Sequence, residues 1–421
     1  MTGVRILTVS VAEITGRDDI GGLVVARALR ADGVPVASRA VVDEDEAALE
    51  ATLGPALDGG GVVVMLAPPG GSGGDIVRRV LARLAGVRLV LSDRLLDLLE
   101  ADFARRGRAL PRRLERLALL PQGAQLWATP PGATAMATTP TGAPGWALEV
   151  RGTLVAVLPL DAPDLSALVE QHLRPAARDR AGAGGVALVS LLRTTGVSAA
   201  DAEERLAPWL GKEGPVAVSC LVVDGDVWVR LLARAPSRAV AEAALTAAGP
   251  AVREALGTDC YGVDGESLEA VVGALLRERG LSVSTAESCT GGLVAHRLTN
   301  IPGSSRYVER GVVVYSNEAK TDLLGVPAEL IRAHGAVSAP VAEAMARGAC
   351  RIGGTACGVA ITGIAGPDGG SPEKPVGTVF VGVASPAGVE VRRFRFAGGR
   401  ESVKWQSAQA ALDMLRRALL A

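Results

Sequence analysis

The sequence is poor in the residues from which metal sites and disulfide frameworks are built. Its 421 residues include five cysteines and three histidines, and no two cysteines form a Cys-x-x-Cys motif. An odd number of scattered thiols argues against a disulfide framework or a zinc ribbon. Three separated histidines leave little material for a histidine-based metal site. We therefore expect no structural metal and a reducing, cytoplasmic environment.

Long apolar runs and an excess of charge are also missing. Although 48% of the residues are hydrophobic, no segment approaches the roughly 18 uninterrupted apolar residues of a membrane span. We therefore expect no membrane partner. The 44 basic and 45 acidic residues nearly cancel. This balance argues against a general nucleic-acid-binding protein, although an average can hide a local basic patch.

Aromatic residues make up only 3% of the chain, whereas glycine occurs 52 times. The apolar mass is therefore mostly Ala, Val and Leu, which is typical of an α/β protein with valine-rich strands and alanine- and leucine-rich helices. The length of 421 residues exceeds that of one ordinary domain and predicts a multidomain chain.

The order of predicted elements divides the chain into three domains. Strands and helices alternate over residues 1–165, which predicts a doubly wound sheet. Residues 166–260 predict a small α+β domain, with a hairpin that turns at Asp224-Gly225. Residues 261–421 again alternate strands and helices and predict a third, α/β domain.

A glycine-rich run follows the third predicted strand of the first domain. It consists of Ala67-Pro68-Pro69-Gly70-Gly71-Ser72-Gly73-Gly74-Asp75. Ligands of doubly wound sheets bind beyond the carboxyl ends of strands, so we expect a loop here that is able to cradle a phosphate. The run matches neither a Walker motif nor a dinucleotide-binding fingerprint.

A turn rich in hydroxyl groups follows the first predicted strand of the third domain. It contains Glu287-Ser288-Cys289-Thr290-Gly291-Gly292, and a helix is predicted from Leu293. Free N–H groups at a helix N-terminus stabilise negative charge. A serine beside such donors has the surroundings of an acyl-transfer nucleophile. The structural alternative is a capped helix start, since Ser and Thr favour that position.

Two further strand ends of this domain carry polar loops, at residues 315–320 and 362–370. Together the loops offer Ser288 as nucleophile, Lys320 as base, Tyr315 as a neighbouring phenol and Thr362 as a further hydroxyl. A Ser–Lys pair requires a lysine that is partly neutral, and therefore desolvated. The alternatives left open are Cys289 as the nucleophile, a solvated lysine at a helix start, and a tyrosine at the rim of the sheet. His296 is expected to be an ordinary helix residue.

These loops resemble motifs of the CinA (competence/damage-inducible) family and occur in the same order. The motifs are Thr285-Ala286-Glu287-Ser288-Cys289-Thr290-Gly291-Gly292, Tyr315-Ser316-Asn317-Glu318-Ala319-Lys320 and Thr362-Gly363-Ile364-Ala365-Gly366-Pro367. The match is to the family's C-terminal nicotinamide mononucleotide (NMN) deamidase domain and covers residues 265–421. Residues 166–260 resemble the family's KH-like domain, and residues 1–165 resemble its molybdopterin-binding, MoCF-like module.

The resemblance implies hydrolysis of NMN to nicotinic acid mononucleotide and ammonia. Ser288 would attack the carboxamide carbon, Lys320 would take its proton, and Tyr315 would assist. Thr362 and nearby backbone N–H groups would hold the substrate or the oxyanion. The residues predicted to bind the substrate are Glu287, Thr290, Gly291, Gly292, Gly363, Gly366, Arg400 and Lys404. We expect no metal or cofactor, NMN rather than nucleic acid as the partner, and a homo-oligomer.

The chain departs from the family pattern in places that bear on two alternative functions. The family's MoCF-like module, which in some members hydrolyses ADP-ribose, usually carries Gly-Gly-Leu-Gly-Pro-Thr-x-Asp-Asp. Here Ala67-Pro68 replaces the leading glycines and Gly74 replaces one aspartate, while residues 10–14 replace a Gly-Thr-Glu-Leu motif. A metal-assisted pyrophosphatase needs such carboxylates to hold its cation.

The second alternative is a scaffold that contacts nucleic acid through the KH-like domain. Residues 166–260 lack the basic Gly-x-x-Gly clamp of nucleic-acid-binding KH modules, which argues against it. In the third domain, Lys404 stands where the family often has a second arginine, so the charge is kept but bidentate phosphate geometry is lost.

Overall fold

The computed structural model describes residues 3–10, 19–68, 70–128, 144–160, 165–181 and 185–421. The chain forms two compact units, one of Met1–Leu188 with Ala233–Ala243 and the other of Val189–Leu232 with Ala244–Ala421. Across the described ranges no helix has the length and apolar content needed to cross a membrane. The motif at residues 10–14, beyond Ser10, and most of the irregular segment before Gly145 lie outside these ranges.

The first unit is built on a mixed sheet flanked by helices. Its elements are β1 (Val4–Val9), α1 (Ile20–Ala31), β2 (Val36–Val42), α2 (Glu46–Leu57), β3 (Gly61–Ala67), α3 (Gly71–Ala85), β4 (Leu89–Leu91), α4 (Asp93–Arg105), a 3-10 helix (Arg112–Ala118), β5 (Leu119–Pro121), β6 (Gln125–Trp127), β7 (Gly145–Val150) and β8 (Thr153–Pro159). The sheet has the order β2-β1-β3-β8-β7-β6. The first four strands run parallel, and β7 and β6 join antiparallel at one edge.

The central strand β3 shows why this sheet is covered on both faces. Val63, Met65 and Ala67 contribute to one hydrophobic cluster together with α2, α3 and α4. The alternate residues, such as Val64 and Leu66, contribute to a second cluster that includes α1. A parallel strand buried on both sides reads as a continuous apolar run, and the predicted doubly wound sheet is confirmed.

A helical segment after β8 packs on the second of these clusters. It comprises α5 (Leu165–Leu168), a π-helical stretch (Val169–Leu173) and α6 (Arg174–Ala181). Leu165, Leu168 and Leu173 are buried against the sheet. The segment therefore packs with the first sheet, whereas the predicted division at residue 165 would assign it to the middle domain.

The glycine-rich run after β3 is mostly helical rather than the loop that the sequence predicts. Gly71 begins α3, so most of the run forms the first turn of a helix. Glycine disfavours helices by about 1 kcal/mol per residue relative to alanine. Burial of Val77, Val80 and Leu81, further along α3, against the sheet provides the packing that overrides this propensity.

A four-stranded sheet forms the middle part of the chain. Its elements are β9 (Val186–Thr194), α7 (Ala199–Leu206), β10 (Val216–Val223), β11 (Asp226–Ala235), α8 (Arg238–Leu256) and β12 (Cys260–Val263). The strand order is β10-β11-β9-β12. The β10–β11 turn has positive φ at both Asp224 and Gly225, at 52° and 90°, as a tight hairpin of this type requires.

The last sheet belongs to the second unit and carries the three predicted site loops. Its surroundings comprise α9 (Leu268–Glu278), β13 (Val283–Glu287), α10 (Leu293–Thr299), β14 (Val308–Val313), α11 (Asn317–Leu324), α12 (Ala328–His334), α13 (Ala339–Gly353), β15 (Cys357–Gly363), β16 (Thr378–Ser385), β17 (Gly388–Arg395) and α14 (Arg400–Leu420). The order is β14-β13-β15-β16-β17.

The pairing of these strands brings the three loops together. β13 pairs in parallel with β14 and with β15, so that Glu287 lies between Val313 and Ile361 at the carboxyl end. One face of the sheet is covered by α9, α10 and α14, and the other by residues of α11, α12 and α13. The carboxyl edge therefore lies between two layers of helices, where α/β sheets place their ligands.

Candidate functional site

The turn after β13 positions Ser288 at the carboxyl edge of the sheet. The Ser288 N–H donates a hydrogen bond to the Ile361 carbonyl at 3.0 Å, and the Gly291 N–H donates one to the Ser288 carbonyl at 3.1 Å. Gly291 and Gly292 have φ values of 65° and 96°. A side chain at two successive left-handed positions would be strained, so the glycine pair is what allows this tight turn.

Glu287 caps the helix that follows the turn. It is fully buried, and its carboxylate accepts the N–H groups of Gly292, Val294 and Ala295 at 2.9–3.1 Å. The negative charge at this helix N-terminus is therefore supplied by the chain itself. This corrects the prediction that these donors are free for an anion.

Lys320 lies in the first turns of α11, which begins directly after the Tyr315 loop. Ser316 is the N-cap of this helix, because its Oγ accepts the Ala319 N–H at 3.0 Å. The lysine side chain is only 1% exposed. The alternative of a solvated lysine at a helix start is thereby excluded, although Lys320 does occupy a helix.

The buried amine of Lys320 contacts the Ser288 hydroxyl. The Nζ–Oγ distance is 3.2 Å. The remaining neighbours of Nζ are the main-chain carbonyls of Val314, Tyr315 and Ser316, at 2.9, 3.2 and 3.4 Å. A neutral amine has two N–H donors and one lone pair. With its donors directed at carbonyls, the lone pair is available to the serine proton.

Burial of Lys320 shifts its protonation equilibrium toward this neutral form. Burial lowers the pKa of its amine from the ordinary value of 10.5, against smaller opposing effects of Cys289 and Glu318. Among the described residues, no carboxylate forms an ion pair with Lys320, as Arg297 does with Glu269 at 2.7 Å. A desolvated lysine without an anionic partner is the kind of base that a Ser–Lys pair requires.

Cys289, the alternative nucleophile, lies next to Ser288 but is poorly suited to the role. Its side chain is 5% exposed, and burial raises the pKa of the thiol to about 11. The thiolate is the reactive form of cysteine, so this residue is almost entirely protonated at neutral pH. Ser288, whose hydroxyl contacts the Lys320 amine, is therefore better suited to be the nucleophile.

The Tyr315 phenol is directed toward Arg400 rather than toward the Ser–Lys pair. The side chain is 61% exposed, and its hydroxyl accepts a hydrogen bond from Arg400 Nη2 at 2.9 Å. Arg400 Nη1 donates to the Gly366 carbonyl at 2.7 Å. Three predicted residues from separate loops thus meet at one point. The predicted assistance of Tyr315 to Lys320 stays a prediction.

Thr362 uses its hydroxyl to fix a neighbouring loop. The side chain is 1% exposed and donates to the Ala336 carbonyl at 2.8 Å. Gly363, the next residue, lies against β16, where an added Cβ would come within 2.7 Å of the Val379 side chain. Both residues shape the edge of the site, and their predicted contacts with substrate remain predictions.

The remaining predicted residues lie around the same edge. Thr290 is 1% exposed, and its hydroxyl has no partner within the described part of the chain. Lys404 lies one turn after Arg400 on α14, with its Nζ 3.8 Å from Glu401. His296 lies on α10, and its ring contacts the Asn300 amide at 3.1 Å, which is consistent with an ordinary helix residue.

The corresponding edge of the first sheet lacks this chemistry. Burial acts to raise the pKa of Asp75, but hydrogen bonds from Arg116 and Arg78 outweigh it and lower the pKa. The Arg116 contact measures 3.0 Å, and Arg78 pairs with the same carboxylate. Asp75 is therefore already neutralised by two arginines.

A hollow next to Asp75 is lined mainly by apolar residues. Its lining contains Ala67, Pro68, Gly74, Val77, Arg78, Leu95, Leu99, Leu117, Leu120, Pro144, Trp146, Val157, Leu158 and Pro159. Arg78 is the one charged side chain in this set. The lining offers no nucleophile and no base, whereas the edge of the last sheet offers both.

Comparison with known proteins gives the family of the chain. A protein of Geobacter sulfurreducens, the "CinA-like protein", is 39% identical over 421 residues and is matched over 99% of both chains. The chain belongs to the CinA family. A second CinA-like protein, from Geobacter metallireducens, is 36% identical over 396 residues, which is 94% of each chain.

Family models divide this CinA-family chain into three matched segments. Residues 265–419 match the CinA C-terminal domain, residues 190–262 match the damage-inducible protein CinA KH domain, and residues 5–178 match a "Probable molybdopterin binding domain". Among solved structures, the competence/damage inducible protein CihA from Agrobacterium tumefaciens is 46% identical. It covers 37% of this chain and 94% of its own, with a TM-score of 0.36.

The molybdopterin-binding description implies a pterin or phosphate ligand at the edge of the first sheet. The residues there do not fit a cation-assisted phosphate site. Asp75 is held by two arginines, and Gly74 replaces the second carboxylate of the family motif. Within the described ranges, no three His, Cys, Asp or Glu side chains lie close enough together to bind a metal ion.

One functional feature of the CinA C-terminal domain was not predicted from the sequence. It is the set of main-chain carbonyls around Lys320, which leaves no signal in residue identity. The start of α11 after Ser316 was predicted only as the alternative of a lysine at a helix start, although a serine followed by residues that form helices well is a helix-start signal.

Proposed function

We propose that the C-terminal domain hydrolyses the carboxamide of NMN to nicotinic acid mononucleotide and ammonia. The observation that carries the proposal is the 3.2 Å contact between Lys320 Nζ and Ser288 Oγ, in a buried setting where the pKa of the amine is lowered. Membership of the CinA family supports the same reaction class. NMN is proposed as the substrate because the motif resemblance implies it.

The first half of the reaction uses the Ser–Lys pair as nucleophile and base. Ser288 Oγ attacks the carboxamide carbon while its proton passes to the neutral Lys320 amine. The oxyanion that forms needs preorganised donors. The N–H groups of Cys289 and Thr290 are suited to this role because, within the described residues, they donate to no backbone acceptor.

The second half releases ammonia and regenerates the serine. The Lys320 ammonium returns its proton to the amide nitrogen as the C–N bond breaks, which leaves an acyl ester on Ser288. Water then attacks the ester carbon, and Lys320 again takes the proton. As the ester C–O bond breaks, the Lys320 ammonium returns its proton to Ser288 Oγ. The carboxylic acid product gives its own proton to solvent and departs as the carboxylate.

Arg400 is proposed to bind the 5′-phosphate of the nucleotide. Its guanidinium lies at the mouth of the site, where the exposed Tyr315 hydroxyl and the Gly366 carbonyl hold it at 2.9 and 2.7 Å. A planar guanidinium matches phosphate geometry. Lys404, on the next turn of α14, would add charge without bidentate geometry.

An assay of the purified full-length chain with NMN tests this proposal. Ammonia and nicotinic acid mononucleotide should appear in equal amounts, and EDTA should not prevent it. Nicotinamide riboside, which lacks the phosphate, should be a poorer substrate through a raised KM. In an Arg400→Ala variant, the KM values for NMN and for nicotinamide riboside should be nearly equal. Absence of both products, or release of nicotinamide in place of ammonia, would contradict the proposed reaction.

A further inference from the structure

An arginine patch lies on the surface of the first unit. It consists of Arg105, Arg106, Arg108, Arg112, Arg113 and Arg116. All six are exposed, and Glu115 is the single acidic residue between positions 104 and 116. The whole chain carries a formal net charge of −1, so this concentration of positive charge is hidden in the average.

The arginine patch is held on an ordered support. The chain reverses between α4 and the 3-10 helix at Gly107, whose φ is 67°. Phe103 and Leu117 are buried, and Leu110 and Leu114 pack against the same hydrophobic cluster. The apolar residues of the segment therefore face inward and hold the arginines on the outer side.

Ion pairing and helix dipoles account for only part of the arginine patch. Arg105 and Arg106 lie at the carboxyl end of α4, where cations are stabilised, and both pair with Asp102. Arg116 pairs with Asp75. Within the described residues, Arg108, Arg112 and Arg113 form no ion pair.

The position of these three arginines is unfavourable for local stability. Arg112 and Arg113 begin the 3-10 helix, and positive charge is unfavourable at the start of a helix. Closely spaced like charges also repel each other and oppose the folded state. Because neither effect favours these residues in the free protein, a bound anion is the natural source of compensation.

We propose that the arginine patch binds the phosphodiester backbone of double-stranded nucleic acid without reading its sequence. Protein interfaces are centred on apolar or aromatic anchors, and residues 104–116 contain no exposed large hydrophobic side chain. Single-strand sites use aromatic stacking platforms, and membrane-surface segments add apolar side chains. A patch of guanidinium groups alone matches a backbone of phosphates. This proposal replaces the expectation, drawn from net charge, that nucleic acid is not a partner.

Fluorescence anisotropy with a short labelled duplex tests this proposal. The full-length chain should bind duplex DNA, duplex RNA or both at about 50 mM salt, and the affinity should fall steeply toward about 200 mM. Comparison of the affinities for the two duplexes shows whether DNA or RNA is the preferred ligand. The Arg108→Gln/Arg112→Gln/Arg113→Gln variant should weaken binding and reduce the slope of log K against log salt by about 2.7, from about 0.9 per lost phosphate contact.

A matched variant separates the arginine patch from net charge. Arg277, Arg279 and Arg306 are exposed and form no ion pair within the described residues, so Arg277→Gln/Arg279→Gln/Arg306→Gln removes the same charge elsewhere. This variant should bind as the parent does, and unchanged melting curves would show that both variants are folded. No duplex binding at low salt, an equal loss in both variants, or preference for anionic vesicles over duplex would overturn the proposal.

Discussion

The turn after β13 and the glycine-rich run after β3 occupy equivalent places, each at the carboxyl end of a central parallel strand. In the turn after β13, Ser288 contacts the buried Lys320, which forms no ion pair with a carboxylate among the residues that the structure describes. After β3 the polar residue Asp75 is paired with two arginines. Acid–base and nucleophilic groups of active sites usually have pKa values shifted by their surroundings to suit the reaction. A carboxylate whose charge is balanced by two arginines is instead held in its ionised form. A glycine-rich loop at a sheet edge is therefore weak evidence of function until the partners of its polar residues are known.

Replacement of Lys320 by methionine should give the largest effect that separates the two edges. Lys320→Met removes the base and should lower kcat by about 10²–10⁴-fold. The fold should remain stable, because a buried amine is replaced by an apolar side chain of similar length. Steady-state kinetics and a denaturation curve check both points. Lys212→Met, at an exposed lysine of the middle domain, is the control and should be silent.

The pH dependence of kcat should follow the deprotonation of the Lys320 amine. The base must be neutral, so the rate should rise by about tenfold per pH unit and level off above the Lys320 pKa. That pKa lies below the ordinary 10.5. Between the folded-state pKa of Lys320 and 10.5, the unfolded chain binds more protons than the folded protein does. The free energy of unfolding should therefore increase as the pH rises through this interval. A kcat that falls as the pH rises toward 10.5 would contradict a lysine base.

Replacement of Glu287 should lower the stability of the protein, because this residue caps a helix. Glu287→Ala leaves three N–H groups at the start of α10 without their acceptor. Each unsatisfied buried donor costs about 1–3 kcal/mol, so the free energy of unfolding should fall by about 3 kcal/mol or more. Glu287→Gln retains one acceptor oxygen and should cost less. Chemical denaturation measures the difference, and equal stability of all three proteins would disprove the capping role.

Asp75 should show the opposite behaviour to Lys320. Asp75→Ala removes the shared partner of Arg78 and Arg116 and should lower the stability of the first unit by about 1–3 kcal/mol. NMN deamidation should be unchanged, because the residue belongs to a different sheet edge. The thermal transition of the first unit and the kcat for NMN are the two readouts. A large loss of deamidation in a folded Asp75→Ala protein would contradict the separation of the two edges.

The elements that the sequence predicted well are those with a strong apolar pattern. The strand–helix alternation predicted for residues 1–165 and 261–421 is observed in the sheets β2-β1-β3-β8-β7-β6 and β14-β13-β15-β16-β17 with their helices. The helix predicted from Leu293 is α10, Leu293–Thr299. Continuous apolar runs identify buried strands, and helical periodicity identifies long helices. The start of α3 could not be predicted this way, because its glycines disfavour a helix and only packing against the sheet restores it.

The site was predicted less completely than the fold. The identity of the serine and lysine follows from the motifs, but the role of Glu287 does not. Its carboxylate reaches N–H groups five to eight residues later in the chain, and only the folded turn places them around it. In the same way, the contact of Tyr315 with Arg400 spans 85 positions and carries no local signal.

Turnover of NMN by Ser288→Ala tests the central claim most directly, with Cys289→Ala as the neighbouring control. If Ser288 is the nucleophile, its alanine variant should keep the fold and bind NMN, while kcat falls by several orders of magnitude. Cys289→Ala should retain most of the activity, because its thiol is protonated at neutral pH. The double variant Ser288→Ala/Lys320→Met should be no slower than the slower single variant, since residues that act as a unit are not additive. Near-normal turnover by Ser288→Ala, or loss of turnover in Cys289→Ala alone, would contradict the account.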